Sequence, residues 1–211
     1  MGGREIRGMN LDDIVIALDW AAAEGWNPGL EDAECFYSAD RNGFFMMTVD
    51  GEPAVTISAV RYGDDYGFVG FYITHPRFRG RALGAKLPFV AMRYLENRII
   101  GIDGVLEREE NYRKLGFERA FKNARFEGVS TDRKIKDNNT VDLSEVLFDK
   151  IFEYDRLVFG YPRHDFLEKW ISRRGSISKG IIGGGELLGF GVIRVCRNGY
   201  KIGPLFADDP E

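Results

Sequence analysis

The chain has 211 residues, of which 44% are hydrophobic and 29% are charged, and its formal net charge at pH 7 is −4. This composition is typical of an ordinary globular protein, and the length allows one domain or two small ones. The acidic balance argues against non-specific nucleic-acid binding, because that needs a basic surface that displaces counterions. We therefore expect no nucleic-acid partner.

Neither a membrane span nor an export signal is evident in the sequence. No apolar run reaches the about 18 residues that cross a bilayer, and the first ten residues lack the apolar segment of a signal peptide. Cys35 and Cys196 stand far apart and outside any CxxC pattern, so we expect two buried thiols in a reducing compartment. These features predict a cytoplasmic protein without a metal site.

The first 128 residues predict alternating helices and strands. Asn10 is a candidate cap for a helix that ends near Gly25, and a second short helix follows over 30–40. From Phe44 the pattern changes to three β-rich runs separated by two hairpin signals, which indicates an antiparallel meander. The elements predicted after the meander are a helix over about 81–97, a strand over 99–106, a helical turn over 107–115 and a last strand or strand pair over 117–129.

The rest of the chain repeats part of this order. Residues 129–142 are polar and turn-rich, which predicts a linker. Beyond the linker, the α-α-β-β-β order returns after about 135 residues and stops at residue 208. Either the chain is a fragment of a longer protein, or another surface, for example in a homo-oligomer, completes the sheet. The predicted elements are helices over 143–159 and 161–172, the second with Pro162 in its first turn, and strands over 176–182, 187–196 and 200–207.

The stretch "RFRGRALGAKL" at residues 77–87 is the candidate binding motif. It follows a predicted strand and begins a predicted helix, which is where backbone N–H groups converge on an anion. Its glycines allow close approach of a phosphate, and its arginines add charge. The spacing is one residue too short for a Walker motif, and the alternative is a basic turn that leads into a solvated helix. The residues concerned are Gly80, Gly84, Arg77, Arg79 and Arg81.

This stretch, preceded by a meander and by a strand that ends in His-Pro, resembles the acyl-CoA-binding motif of the GNAT N-acetyltransferase superfamily. The family pattern Arg/Gln-x-x-Gly-x-Gly/Ala falls on residues 79–84, where Ala82 replaces the usual glycine and its methyl group is expected to crowd a pyrophosphate slightly. The resemblance implies acetyl-CoA as co-substrate, with its pantetheine paired to strand backbone. The implied contacts are Arg79, Gly80, Arg81, Ala82, Leu83, Gly84 and Ala85 for the pyrophosphate, and Ile73 and Thr74 for the pantetheine.

The segment "NYRKLGF" at residues 111–117 resembles a second motif of the same family. Many GNAT enzymes have a tyrosine four residues before the glycine of a Gly-Phe pair, and Tyr112 has that position relative to Gly116. By this resemblance Tyr112 protonates the departing CoA thiolate, a role that suits a phenol. The alternative is that Tyr112 only packs on the core. Val105 stands where the family has an asparagine, so Asn111 is the candidate replacement as a cofactor contact.

A general base is needed because only a neutral amine can attack a thioester. Family members use a glutamate, an aspartate or a water relay for this step. We favour Asp103, at the end of the fifth predicted strand, over Glu107, Asp64 and Asp65. For each of them the alternative is a solvated surface carboxylate.

The acceptor pocket of the resembled family lies near the first helices and the loop that joins them. Trp26 and Asn27 stand in that loop and are the candidate substrate contacts. Trp26 could stack on a cationic amine. It could equally close the hydrophobic core.

The resemblance implies an α/β (α+β) fold of the GNAT type, in which helices flank a mixed, mostly antiparallel sheet. The expected domains are residues 1–128, a linker over 129–142, and a partial, degenerate GNAT-like unit over 143–211. The last unit lacks the loop motif, and its final acidic residues would repel a pyrophosphate. The expected function is acetyl transfer from acetyl-CoA to a primary amine of a small molecule or peptide. A non-catalytic acyl-CoA sensor and an interaction module are the alternatives.

Overall fold

Two sheets, each flanked by helices, organise the chain, of which this computed structural model describes residues 3–106, 109–131 and 139–209. The strand order is β1-β2-β3-β4-β5 in the first sheet and β6-β7-β8-β9 in the second. All neighbouring strands are antiparallel except β4 and β5. The expected mixed, mostly antiparallel α/β fold is therefore confirmed. The first unit consists of β1 (Arg4–Gly8), α1 (Leu11–Ala23), α2 (Asp32–Ala39), β2 (Phe44–Val49), β3 (Glu52–Tyr62), β4 (Tyr66–Thr74), α3 (Leu87–Tyr94), β5 (Ile99–Ile102) and α4 (Glu109–Lys114). The second unit consists of β6 (Thr140–Asp142), α5 (Phe148–Phe159), α6 (His164–Ser172), β7 (Ser176–Gly183), β8 (Glu186–Val195) and β9 (Tyr200–Ala207).

Helix α1 begins at the cap that the sequence predicts. The side chain of Asn10 accepts a hydrogen bond from the backbone N–H of Asp13 at 2.9 Å, and the Asp13 carboxylate accepts one from the Asn10 N–H at 3.0 Å. This reciprocal capping box satisfies two helix-end donors. Arg7 of β1 binds the same carboxylate at 2.5 Å, which fastens β1 to α1. The buried residues of α1 include Ile14, Ala17 and Leu18, which pack in a core against strands of the first sheet.

Strand β1 is not predicted from the sequence. Its sequence, "REIRG", has only one large apolar residue, Ile6, so it lacks the alternation that indicates a strand. It forms because β2 offers an edge, with Arg4 opposite Val49 and Gly8 opposite Phe45.

The helix predicted over 81–97 is shorter in the structure. Helix α3 covers only Leu87–Tyr94 and follows a 3-10 turn over Leu83–Lys86. Ala82 has a φ of 52°, which no right-handed helix contains, so the helical region cannot begin before it. Pro88 stands in the first turn of α3, where the missing N–H costs nothing.

The prediction of a last strand or strand pair over 117–129 is wrong. Residues 117–131 have no regular secondary structure, although Phe121 and Phe126 are exposed apolar residues in that segment. A strand needs a hydrogen-bonded neighbour, and β5 remains the edge of its sheet among the described residues. The strand predicted over 99–106 likewise ends at Ile102.

The second unit follows the element order of the first. β6-α5-α6-β7-β8-β9 corresponds to β1-α1-α2-β2-β3-β4, so the predicted repeat is present and each copy has one further strand at its start. Strand β6 lies in the segment predicted as a linker and pairs with β7. Helix α6 begins at His164, so Pro162 precedes the helix instead of standing in its first turn.

Helix α2 of the first unit packs into the core of the second unit. The ring of Phe36 is stacked on Phe166 with centroids 6.4 Å apart, and Cys35 is buried in the same cluster. Asp32 accepts a hydrogen bond from the Gly29 N–H at 2.8 Å. Both cysteines are free and buried, as the sequence predicts.

Three tyrosines should make the free energy of unfolding depend on pH in the alkaline range. Burial raises the pKa of Tyr62, Tyr94 and Tyr154 to about 12, and a hydrogen bond to Asp40 or Asp208 adds to this shift for Tyr94 and Tyr154. The folded chain thus holds protons that the unfolded chain releases near pH 10. The contribution is complete below pH 10 and is lost as the pH rises towards 12. Urea unfolding at pH 9 to 12 should show this decline, and Tyr94→Phe should flatten it.

Candidate active site

The loop between β4 and α3 presents free backbone donors. Gly80 and Ala82 have φ angles of 73° and 52°, so the chain turns twice into the left-handed region. The N–H groups of Gly80, Arg81 and Ala82 donate to no other residue within the described ranges, and all three residues are exposed. Consecutive free N–H groups in such turns form concave anion sites. The loop therefore has the donors that a phosphate needs.

The side chains of the loop arginines have separate roles. Arg79 donates from Nε to the carbonyl of Thr74 at 3.0 Å and from Nη2 to Glu24, which fastens the loop to the end of β4 and to the residue after α1. Arg77 forms an exposed ion pair with a glutamate of β3. Arg81 makes no hydrogen bond within the described part of the chain, and its guanidinium lies 5.7 Å from the centroid of the Phe78 ring, so it is the loop arginine left for a ligand.

Strand β4 has a free edge beside this loop. Its parallel pairing with β5 ends at the pair Val69–Ile102, although β4 continues to Thr74. Along residues 70–74 the backbone on that side meets no strand among the described residues. Ile73 and Thr74, the expected pantetheine contacts, both lie in this stretch. The side chain of Ile73 is buried, so only its backbone is available to a ligand.

A bulge bends β4 at the start of the free edge. Phe71 and Tyr72 together oppose a single residue of β3, and Phe71 has a φ of 47°. A bulge of this kind redirects the strand and the side chains beyond it. The same irregularity returns in β9, where Gly203 and Pro204 oppose a single residue of β8.

Tyr72 covers the loop, although no motif in the sequence points to it. A Cβ built on Gly84 would lie 2.6 Å from the Tyr72 hydroxyl oxygen, so the two residues are in close contact. Tyr72 is 48% exposed, and the burial of the rest of its ring raises the pKa of the phenol. The sequence feature that could have indicated this contact is the position of Tyr72 near the end of the strand that leads into the loop.

Ala82 carries a conformational strain that glycine would relieve. Alanine in the left-handed region costs about 1–2 kcal/mol, whereas glycine adopts it freely. Ala82→Gly is therefore expected to raise the free energy of unfolding by up to about 1 kcal/mol, after the greater entropy of the unfolded chain is subtracted. Denaturant titration measures this change. Ala85→Gly is the control, because Ala85 has no positive φ and the same change should destabilise it. Equal effects of the two variants would contradict the strain.

Tyr112 lies on α4, next to the C-terminal end of β5. A Cβ on Gly104 would be 2.5 Å from the Tyr112 ring, so the ring lies directly on the backbone that follows β5. The ring is half-buried, and its hydroxyl makes no hydrogen bond within the described residues. Gly116, with a φ of 91°, ends the helical turn. Tyr112 thus borders the end of β5 that lies beside the free edge of β4.

The other predicted residues of this region are exposed. Asp103 accepts a hydrogen bond from the side chain of Asn123 at 3.0 Å, and nothing else in the described residues binds it. Asn111 is exposed on α4, so its role as a cofactor contact remains a prediction. Glu107, the alternative base, lies outside the described residues.

The loop that holds Trp26 and Asn27 is attached to the second unit. Asn27 donates to the Asn198 carbonyl at 2.8 Å and accepts from the Asn198 N–H at 2.9 Å, so both polar ends of its side chain are used. Lys201 donates to the Trp26 carbonyl at 2.7 Å. The Trp26 ring is 40% exposed and lies 6.3 Å from the ring of Phe71 at the bulge. Substrate contact through these two residues remains a prediction.

Two further findings concern the described residues alone. None of their helices has the length and apolar character needed to cross a membrane. They contain no group of three or more histidine, cysteine, aspartate or glutamate side chains that could hold a metal ion.

Comparison with known proteins identifies the class to which this loop and sheet belong. A model of the acetyltransferase (GNAT) family matches residues 11–117, and a model of an acetyltransferase (GNAT) domain matches residues 151–211. The chain therefore belongs to the GNAT family and contains a second GNAT-like unit. It is an acyltransferase.

Individual relatives agree with this assignment. The holothin acyltransferase of Pseudoalteromonas sp. (strain SANK 73390) is 34% identical over 200 residues, which are 95% of this chain and 68% of that protein. A crystal structure from Pyrococcus horikoshii, assigned to the acetyltransferases, superposes with a TM-score of 0.73 at 21% identity. The alignment covers 99% of this chain and 72% of the Pyrococcus chain. A conserved protein of Enterococcus faecalis V583 superposes with a TM-score of 0.58 at 13% identity, and the alignment covers 99% of this chain and 59% of the Enterococcus chain. The last two similarities concern the fold.

Proposed function

We propose that this acyltransferase is an N-acetyltransferase that uses acetyl-CoA and a primary amine of a small molecule or peptide. The observation that carries the proposal is the set of free N–H groups at Gly80, Arg81 and Ala82 beside the free edge of β4. A pyrophosphate needs the first feature, and an amide-containing pantetheine arm needs the second, because it can pair like an added strand. A non-catalytic sensor would not need a phenol next to the end of β5.

The residues have separate roles in the proposed reaction. Acetyl-CoA supplies an acetyl group activated as a thioester. The loop from Arg79 to Ala85 holds the pyrophosphate, and the backbone of Ile73 and Thr74 orients the pantetheine. A strand N–H near the bulge stabilises the developing negative charge on the carbonyl oxygen. Tyr112 donates its phenolic proton to the departing sulfur.

The proton of the amine needs a separate route, because an ammonium ion has no lone pair. We assign Asp103 as the base, acting directly or through water, on the basis of its position just after β5. The acceptor itself is proposed to lie near Trp26, where the loop after α1 approaches the bulge. A relative named for holothin makes holothin one acceptor to test.

The experiment that tests the proposal has two stages. Thermal unfolding with and without acetyl-CoA comes first, and a ligand at about a hundred times its Kd stabilises by about 2.7 kcal/mol. Release of free thiol is then measured with holothin, polyamines, amino acids and peptides as acceptors. Stabilisation together with acceptor-dependent thiol release is the expected result. Stabilisation without thiol release for any acceptor would favour the sensor, and no stabilisation would exclude acetyl-CoA binding.

The compartment and assembly are part of the same proposal. Two unpaired buried thiols, Cys35 and Cys196, suit a reducing compartment, so we place the enzyme in the cytoplasm. The domain limits are proposed at residues 1–128 and 143–211. Exposed apolar residues on strand β9, such as Ile202 and Leu205, make the second unit the proposed surface for a homo-oligomer.

A further inference from the structure

The bulge of β4 contains a residue in a conformation that bulky side chains rarely adopt. Phe71 has a φ of 47°, in the left-handed region, where a phenylalanine is an outlier. Such a backbone persists only where the surrounding contacts hold it, and it is most frequent at functional sites. Its carbonyl accepts a hydrogen bond from the Thr56 hydroxyl at 2.9 Å. This bond holds the backbone of the bulge, whereas the ring is held from outside the sheet.

Two aromatic rings contact the side chain of Phe71. The ring of Phe36, on α2, meets it edge to face with the centroids 5.6 Å apart, and the Trp26 ring lies 6.3 Å from it. Both distances lie within the range of favourable aromatic pairs. We call the rings of Phe36 and Trp26 the bulge clamp.

The second unit holds both rings of the bulge clamp. Phe36 also contacts Phe166 and Trp170 in the core of that unit, at centroid distances of 6.4 and 5.7 Å. The carbonyl of Trp26 accepts a hydrogen bond from Lys201 of β9 at 2.7 Å. The position of each ring therefore depends on residues of the second unit.

Helix α2, which carries Phe36, is attached to the second unit near both of its ends. Near its start, the Asp32 carboxylate accepts a hydrogen bond from Nη1 of Arg173 at 2.7 Å, and both side chains are almost fully buried. Near its end, the Ser38 hydroxyl oxygen lies 3.2 Å from the Asp165 carbonyl oxygen of α6. Because a shift of Phe36 would disturb these contacts, the ring has a fixed place relative to the second unit.

We propose that Phe36 is a positioning residue, through which the second unit holds the β4 bulge in the shape that acetyl-CoA requires. This inference rests on the proposed function. The free edge over 70–74 contains the bulge, and Ile73 and Thr74, the proposed pantetheine contacts, follow it directly. A displacement of Phe71 would shift this edge, and a shifted edge pairs poorly with an extended ligand. The bulge clamp thus acts on the edge and not on the pyrophosphate loop.

Two probes separate the edge from the pyrophosphate loop. Acetyl-CoA uses both parts of the proposed site, whereas ADP offers a pyrophosphate without a pantetheine arm. Each probe is titrated calorimetrically into the full chain at a temperature at which every variant is folded. Phe36→Leu removes the ring and should raise the Kd of acetyl-CoA about tenfold and that of ADP less than about twofold. Phe36→Met should raise the Kd of acetyl-CoA about threefold and serves if Phe36→Leu does not fold.

A double-mutant cycle tests whether the effect passes through Phe71. Glycine adopts a positive φ freely and has no ring, so Phe71→Gly leaves Phe36 nothing to hold. Adding Phe36→Leu to Phe71→Gly should therefore change the Kd of acetyl-CoA less than about twofold. An equal rise in both backgrounds would show that Phe36 does not act through Phe71 and would overturn the proposal.

Phe190→Leu is the matched control for a general loss of core packing. Phe190 is buried in the same core of the second unit, but its ring contacts are with Tyr154 and Phe206. This variant should leave both Kd values unchanged. Normal acetyl-CoA binding by a folded Phe36 variant, an equal rise in the Kd of ADP, or an equal effect of Phe190→Leu would overturn the role of Phe36 alone. No acetyl-CoA binding by the unaltered chain would overturn the proposed function and this inference with it.

Discussion

Tyr112→Phe is expected to lower kcat about a hundredfold and to change the Kd for acetyl-CoA less than about twofold. The phenylalanine ring can occupy the same place against Gly104, so packing is retained and only the proton donor is lost. Steady-state thiol release gives kcat, and thermal shift gives the affinity. The loss should therefore fall on the chemical step.

One control variant makes this result specific to the hydroxyl group of Tyr112. Tyr200→Phe removes the same atom from an exposed side chain on β9 and should leave kcat unchanged. If Tyr112→Phe instead weakened acetyl-CoA binding and spared kcat, Tyr112 would be a packing residue, and the proton for the thiolate would have to come from elsewhere.

Gly84→Glu is expected to remove the stabilisation by acetyl-CoA. Gly84 is buried under Tyr72, so a glutamate must push its chain into the loop and bring a negative charge among the free N–H groups. Both effects oppose a pyrophosphate. The expected rise in Kd is at least about a hundredfold, which corresponds to about 2.7 kcal/mol. Thermal shift measures it directly.

Three further variants separate charge, space and folding in this experiment. Ala85→Glu brings the same charge to an exposed loop position without a steric conflict, so it should also weaken binding and covers the case in which Gly84→Glu does not fold. Gly84→Ala should have a small effect, because the Tyr72 hydroxyl is the end of a partly exposed side chain and can turn aside. Gly128→Glu, on an open surface, should change nothing. Normal binding by folded Ala85→Glu would place the pyrophosphate outside this loop.

The sequence predicts well those parts of the fold that short-range chemistry determines. The cap at Asn10, the hairpin signals of the meander and the α-α-β-β-β repeat depend on residues close to each other in the chain, and all of them are present. The loop motif is also local, because glycines and free N–H groups need only a turn.

The elements that sequence reasoning missed depend on distant partners. Strand β1 exists only because β2 accepts it, and the strand predicted over 117–129 is absent because no neighbour among the described residues pairs with it. Tyr72 meets Gly84 only through the bulge and the fold of the loop. The attachment of Asn27 to Asn198 joins residues that no spacing rule connects.

That attachment means that the first unit cannot be treated as a separable catalyst. The loop that carries Trp26 and Asn27 takes its shape from a hairpin of the second unit, and α2 buries Cys35 there. Excision of the first unit would expose this apolar face to water and release the loop at the same time. The proposed acceptor site near Trp26 therefore depends on residues such as Asn198 and Lys201, in the half of the molecule that lacks the glycine-rich loop motif.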